Sequence, residues 1–339
     1  MSKWTASDLP IVAAPMAGGA TTPALVAGAA AAGAFGFLAG GYKTPEALAA
    51  EAEQLRQLDV AFGINLFVPT AVPIIEPDFR RYAAELAAEG EPYGLDLAAA
   101  PLVEDDDHWQ AKIDLLLQNP PPVVSFTFGL PERAAVTALQ RAGSQVFITV
   151  TTPAEAQAAR DLGADGLIAQ STEAGGHSGT HTPEVPVPAV PLGDLVRQVA
   201  ALDVPVIAAG GIGHSHQIPP LLEAGAAAVM VGTVLLRTPE SGASETHKQA
   251  LASAGPARTV ITHAFTGRPA RALTNDFITR HATTAPLGYP AIHHLTRPLR
   301  AAAAAAGDST RLHLWSGTAY QQAQRTPAHA VLTALASDL

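Results

Sequence analysis

Between Pro10 and Val231 the chain repeats one beat: a short apolar run bounded by Gly or Pro, then an Ala-rich run charged on one side. The apolar runs are 10–15, 35–39, 61–67, 123–128, 145–150, 166–170, 205–209 and 227–231. They are near-continuously apolar rather than alternating, as strands covered on both faces are. Three helical runs open on the same signal: Thr22-Pro23, Thr44-Pro45 and Thr152-Pro153. Thr caps such a helix and Pro takes its first position. An open doubly wound sheet ordinarily stops at about five or six strands, whereas eight β-then-α units close on themselves. The beat therefore predicts an α/β chain folded as a (β/α)8 TIM barrel over residues 1–257. Residues 258–339 break the beat. Ala301–Ala306 ending at Gly307, and the last stretch of the chain, read as helix. The expectation is a helical extension that packs on the barrel and helps to cover the active site.

No charge stands between Asp8 and Lys43, a stretch long enough to span a bilayer. Pro10, Pro15 and Pro23 interrupt it and glycines stud it, so a buried strand–helix–strand is expected and no membrane partner. Met1–Trp4 has no apolar h-region, so no signal peptide is expected. Asp and Glu number 30 against 20 Lys and Arg, a formal net charge of −10, with no basic run. That balance argues against nucleic acid as a partner and suits a cytoplasmic protein. Cys is 0, which removes disulfides, thiolate nucleophiles and Cys-ligated metals together. The stretch 73–122 is longer than one crossover needs. Its acidic run, Glu104-Asp105-Asp106-Asp107, reads as a solvated helix start rather than a metal cluster.

In a barrel of this kind ligands sit at the C-terminal ends of the strands. Those ends are dense in Gly and poor in charge: Pro15-Met16-Ala17-Gly18-Gly19, Glu173-Ala174-Gly175-Gly176-His177, Gly210-Gly211-Ile212-Gly213 and Met230-Val231-Gly232-Thr233. Backbone N–H groups approach a planar, phosphate-bearing ligand closely where no Cβ obstructs them. The ends after the seventh and eighth barrel strands are the usual phosphate grip of the fold, here helped by a helix expected to open near His214, just past Gly210-Gly211-Ile212. Asn65 and Gln170 end two further strands. Their amides suit either a flavin edge or the backbone of their own loops. His177 lies in a loop of about twenty residues, and loops of that length in compact domains are usually functional. Its imidazole can take or give a proton near neutral pH. No metal is expected: His181, His214 with His216, and His293 with His294 lack a convergent third ligand. Trp315 and Tyr320 are expected to pack the tail rather than close the pocket.

These segments resemble, in order, the motifs of the nitronate monooxygenase family, formerly the 2-nitropropane dioxygenases. PIVAAPMAGGATTPALV resembles its opening and GINLFVP its third-strand motif. EAGGHSG resembles its His-bearing loop, GGI and MVGT its phosphate-binding ends, and FTGRPAR a late motif. The resemblance implies FMN bound without a covalent link. Asn65, Gln170, Gly175, Gly211, Met230, Val231, Gly232 and Thr233 would contact it, and Gly211 with 230–233 would hold its phosphate. It implies a catalytic His177 facing the substrate near the reactive edge of the flavin. The implied reaction oxidises alkyl nitronates with O2 to carbonyl compounds and nitrite, with nitroalkanes as further candidate substrates. His177 would serve either as a base or as a cationic anchor for the nitronate. Ser178 stands where the family commonly has Arg, which puts the charge complement of the substrate in question. The oligomeric state stays open. The alternatives are an NAD(P)H-dependent quinone or enoyl-acyl-carrier reductase on the same barrel, and a non-catalytic flavin-binding protein. The inosine-monophosphate dehydrogenase type needs a Cys and is excluded.

Overall fold

The computed structural model describes residues 7–69, 72–255 and 258–339. The reading of Met1–Trp4 and the expected boundary at residue 257 lie outside the described residues. Eight parallel strands close into a barrel: β1 (Ile11–Ala13), β2 (Phe35–Ala39), β3 (Phe62–Phe67), β4 (Val123–Thr127), β5 (Gln145–Val150), β6 (Gly166–Gln170), β8 (Val206–Ala209) and β9 (Ala228–Val231). The number β7 belongs to a two-residue strand outside the barrel, Gly176–His177. Closure is between β9 and β1, with Val12 opposite Met230.

Helices return the chain between strands: α1 (Pro23–Ala31), α2 (Pro45–Gln57), α3 (Glu76–Glu85), α4 (Ala87–Gly90), α5 (Trp109–Gln118), α6 (Arg133–Ala142), α7 (Pro153–Leu162), α8 (Leu192–Ala200), α9 (Ile218–Glu223) and α10 (Glu245–Ser253). The Thr-Pro signals work as expected. Thr22, Thr44 and Thr152 Oγ1 accept from the amides of Leu25, Ala47 and Glu155 at 3.1, 3.2 and 3.2 Å.

The barrel interior is filled by rings laid over glycines. Phe37 and Phe147 are 1% and 0% exposed. A Cβ at Gly63 would stand 2.4 Å from Phe37 Cε1, and one at Gly166 2.2 Å from Phe147 Cε1. Each glycine gives up its side chain so that a ring from the neighbouring strand can cross the axis. Val12, Ile168, Ile207 and Met230 complete that layer.

The structure departs from the sequence reading in the tail and in the 73–122 stretch. The tail is not only helical. It begins with β10 (Thr259–Thr262) and β11 (Ala270–Leu273), paired antiparallel, and β11 pairs in turn with β7. Then follow α11 (Asp276–His281), α12 (Ala291–Ala305) and α13 (Ala328–Leu335). α12 starts at Ala291, well before the expected Ala301, because Pro298 and the His293-His294 pair mask an apolar face. Ile292, Leu295, Leu299 and Ala303 are buried along it at helical spacing. The long 73–122 stretch shares a core with that tail: Phe79, Tyr82 and Leu86 pack with Phe265, Phe277 and Leu295. The acidic run is only partly solvated. Asp106 Oδ1 accepts from the amide of His108 at 3.1 Å, just ahead of α5. Asp107 turns inward instead, to Lys112 Nζ at 2.8 Å and the Tyr42 amide at 3.0 Å. Among the described residues no helix is long and apolar enough to cross a membrane.

Phe147→Ala is expected to cost about 3–5 kcal/mol of unfolding free energy, because it empties the barrel axis. Gly166→Val should cost about 1–3 kcal/mol by overpacking the same ring. Urea denaturation of both variants checks the pair, and a loss below about 1 kcal/mol in each would contradict the packing described.

Candidate active site

The C-terminal ends of the strands open into one cavity of about 660 Å³. Asn65, Gln170, Gly175, His177, Gly211, Met230, Val231, Gly232 and Thr233 all line it. Tertiary closure thus brings together His177 and the eight residues expected to contact a flavin, whereas Ser178, His181, His214, His216, His294 and Tyr320 do not line the cavity.

One pole is backbone. Gly210 and Gly211 take consecutive left-handed conformations, φ +112° and +74°. A Cβ at Gly211 would stand 2.1 Å from Glu173 Oε2, so no other residue fits there unstrained. The amides of Gly210, Gly211 and Ile212, and those of Gly232, Thr233 and Val234, donate to no acceptor among the described residues. Such a paired set of open N–H groups is an anion cradle. The helix expected from near His214 does begin there, but as a short 3-10 turn, Ser215–Gln217, that leads into α9. The Gly213 and His214 amides are taken by Gln217 Oε1 at 2.8 and 2.9 Å. Thr233 Oγ1 accepts from the Gly317 amide at 2.9 Å, which draws the tail across this pole.

The other pole is His177. Its Nε2 lies 2.9 Å from Thr266 Oγ1, whose single proton goes to the Arg268 carbonyl at 3.3 Å. Thr266 must then accept, so Nε2 carries the hydrogen and Nδ1 the lone pair. Nδ1 has no partner among the described residues. Burial pushes the His177 pKa down to about 3, and the Arg268 and Arg300 charges act in the same direction. The ring is therefore neutral at ordinary pH. It stands between Trp315 and Phe128, with ring centroids 5.4 and 5.6 Å away. Phe128 and Tyr42, both on the lining, sit at φ +83° and +66°. For bulky residues that is strain of about 1–3 kcal/mol each, of the kind that clusters at functional sites.

The two strand-end amides behave differently. Gln170 is spent on its own loop: Oε1 accepts from the Gly179 amide at 2.7 Å and Nε2 donates to the His177 carbonyl at 3.3 Å. Asn65 Oδ1 accepts from Ser125 and Thr127 hydroxyls, both at 2.9 Å, which leaves its Nδ2 for the cavity. Ser178 donates its amide to the Pro269 carbonyl.

Sequence reasoning expected the tail to help cover the site but did not identify the residues that do so. Trp315 lines the cavity, against expectation, whereas Tyr320 does pack the tail and donates to the Gly255 carbonyl at 3.0 Å. His293, Arg300 and His313 line it too. His294 pairs with Asp105 at 3.0 Å. Thr266 lay within FTGRPAR without being picked out. Glu155 was missed as well. Its buried carboxylate accepts from Thr180 Oγ1 at 3.0 Å and the His181 amide at 2.8 Å, fastening the His loop to α7. In a chain of net charge −10, the lining carries Lys43, Arg297 and Arg300 and no Asp or Glu.

A family model described as nitronate monooxygenase matches residues 2–338. A probable nitronate monooxygenase of Staphylococcus saprophyticus is 35% identical over 330 residues, 95% of this chain and 92% of its own length. One from Staphylococcus aureus strain Newman is 34% identical over 332 residues, 96% and 93% of the two chains. Among solved structures, a nitroalkane oxidase from Streptomyces ansochromogenes matches with a TM-score of 0.95 at 45% identity, covering 100% of this chain and 98% of that one. FabK from Thermotoga maritima, at 23% identity and a TM-score of 0.75, covers 98% and 93% and shares the fold.

Burial holds other imidazoles of the cavity neutral as well. It pushes His247 down to about 4, and His293 and His313 well below the ordinary His range, with Arg300 adding to the last two. The unfolded chain takes up protons near pH 6.5 that these folded groups refuse, so stability must fall as pH drops through that value. Urea midpoints are expected to decline between about pH 7 and 5.5, ahead of most carboxylate titration. His247→Gln should flatten the decline. A midpoint constant over that window would contradict neutral burial.

Proposed function

The chain belongs to the nitronate monooxygenase family, and from that membership we propose an FMN-dependent oxidation of alkyl nitronates, and of their parent nitroalkanes, by O2 to carbonyl compounds and nitrite. Membership of the family makes the chain an oxidoreductase. The observation that carries the finer reading is the pairing of two poles in one cavity. Open amides stand at one pole and a neutral imidazole with its lone pair on Nδ1 at the other.

The residues present fit FMN. The amides at 210–212 and 232–234 would receive the phosphate, and Gly175, Met230 and the free Nδ2 of Asn65 would flank the ring system. Gln170 would support this from behind by holding the His loop. FMN, when bound, supplies the acceptor for the substrate's electrons and passes them to O2.

The chain's own work is acid–base chemistry and exclusion of water. His177 Nδ1 takes the α-proton of a neutral nitroalkane. The C–H bond breaks, its electron pair passes into the nitro group as the nitronate forms, and the proton stays on the imidazole. Thr266 fixes the tautomer that makes Nδ1 the base. The open Nδ1 of a neutral ring favours the base reading of His177 over a standing cationic anchor, and the nitronate charge formed beside it would stabilise the imidazolium that burial otherwise disfavours. Residues 258–339 contribute Trp315 and α12 as a wall over the substrate side.

The purified protein should be yellow, or become so with FMN, and should release nitrite from a small nitronate. His177→Asn is expected to keep the flavin and to lower turnover of neutral nitroalkane by about 100-fold or more. Turnover of preformed nitronate should fall far less. Equal losses on both substrates would refute the base role, and a protein that stays colourless with FMN would refute the whole reading.

A further inference from the structure

The His177 pole holds a cation that proton abstraction does not use. Arg300 is 6% exposed, yet it lines the cavity. Its guanidinium is fixed on two sides by neutral groups. Nε donates to Thr296 Oγ1 at 3.1 Å, and Nη2 donates to the His293 carbonyl at 2.9 Å and to His293 Nδ1 at 3.1 Å. His293 is itself immobilised, its ring stacked on Tyr42 at 4.0 Å with planes 8° apart. Nη1 has no partner among the described residues, and no carboxylate there pairs with Arg300. A buried guanidinium without a counter-ion is strongly unfavourable, and chains keep one where a ligand supplies the missing charge.

The surroundings leave room for such a ligand. Arg297, Arg300, Ala301 and Ala304 all line the cavity from α12, spaced as one helix face, and the two alanines clear the volume beside the guanidinium. Ser178, next to His177, carries no charge.

We infer that Arg300 is the anion-recognition residue of this cavity, and that it selects a planar, singly charged oxyanion head group, the nitronate form of the substrate, over its neutral parent. The inference rests on the nitronate reading above for the identity of the substrate, but not for the anion site itself. Thr296 and His293 are the positioning residues, orienting the guanidinium so that its Nη1 edge is free for an oxygen. The charge complement left open by Ser178 comes from α12 instead.

The test uses FMN-loaded protein and nitrate as an unreactive planar oxyanion, titrated calorimetrically and as an inhibitor of turnover. Arg300→Met should weaken nitrate binding at least tenfold and raise KM for a preformed nitronate at least tenfold. KM for the neutral nitroalkane should stay within twofold. Arg300→Lys keeps the charge without the planar fork and should fall between wild type and Arg300→Met. Should the Met variant fail to fold, Arg300→Gln, which keeps a planar amide without the charge, decides the matter: a Gln variant equal to wild type in both nitrate affinity and nitronate KM would overturn the assignment. So would nitrate failing to bind the wild type, or both KM values rising together. Nitrate binding through Arg300 in a protein that releases no nitrite would sustain the anion site and defeat the nitronate reading. Nitrite release with an unchanged nitronate KM in Arg300→Met would do the reverse.

Discussion

The site depends on a short antiparallel ladder between a barrel loop and the tail. His177 of β7 lies opposite Ala270 of β11, and Gly176 lies opposite Arg271. The Ser178 amide continues the ladder to the Pro269 carbonyl at 2.8 Å. Arg271 reinforces it by donating from Nε to the Thr172 carbonyl at 2.6 Å. Without these bonds the Gly-rich segment after β6 would be a long loop with little to order it, since Gly loses most conformational freedom on folding. Glu155 clamps the far side of the same segment through Thr180 and His181. His177 is thus held between the barrel on one side and the tail on the other, which a residue aimed at a small substrate requires.

The same ladder explains the electrostatics. Once the tail closes over the strand ends, imidazoles and guanidinia lose water together, and burial pushes His177, His247, His293 and His313 toward their neutral forms, with the Arg300 charge adding to the effect on all but His247. Arginines keep their charge, because even a lowered guanidinium pKa of about 10 leaves Arg268 and Arg300 protonated. Arg268 stacks 4.0 Å from the Phe128 ring centre and donates to the Thr180 carbonyl, but it lies beneath the lining and leaves Nε and Nη1 without a partner among the described residues. Arg300 lines the cavity itself, and only its Nη1 is left open. No carboxylate stands on the lining of this acidic chain, and of the lining cations Lys43 is paired with Glu51, whereas Arg297 and Arg300 have no carboxylate partner among the described residues.

Much of this was legible in the chain. The eight-unit beat, the Thr-Pro helix starts and the glycines at strand ends each follow from local rules: buried parallel strands must be apolar throughout, helix starts must satisfy N–H groups, and a close backbone approach excludes Cβ. The cavity-lining positions from Asn65 to Thr233 followed from one topological rule, that function gathers at the C-terminal ends of barrel strands. Other features were not legible because they have no local signature. A two-residue strand such as β7 is too short for any periodicity. α12 was hidden by Pro298 and by polar residues that face the cavity, which breaks the amphipathic pattern for a functional reason. The use of Gln170 on its own loop, and of Asn65 on two neighbouring hydroxyls, depends on which groups happen to stand across a strand.

The sequence by itself determined a closed barrel with a glycine-lined mouth and an imidazole above it, because those features are set by the conformational limits of each residue and its near neighbours. Only the tertiary structure decided what surrounds that imidazole. Thr266, His293, Arg300 and Trp315 lie roughly 90 to 140 residues further along the chain than His177, and their tautomer, charge and stacking effects arise from desolvation and contact in space, which no local pattern encodes.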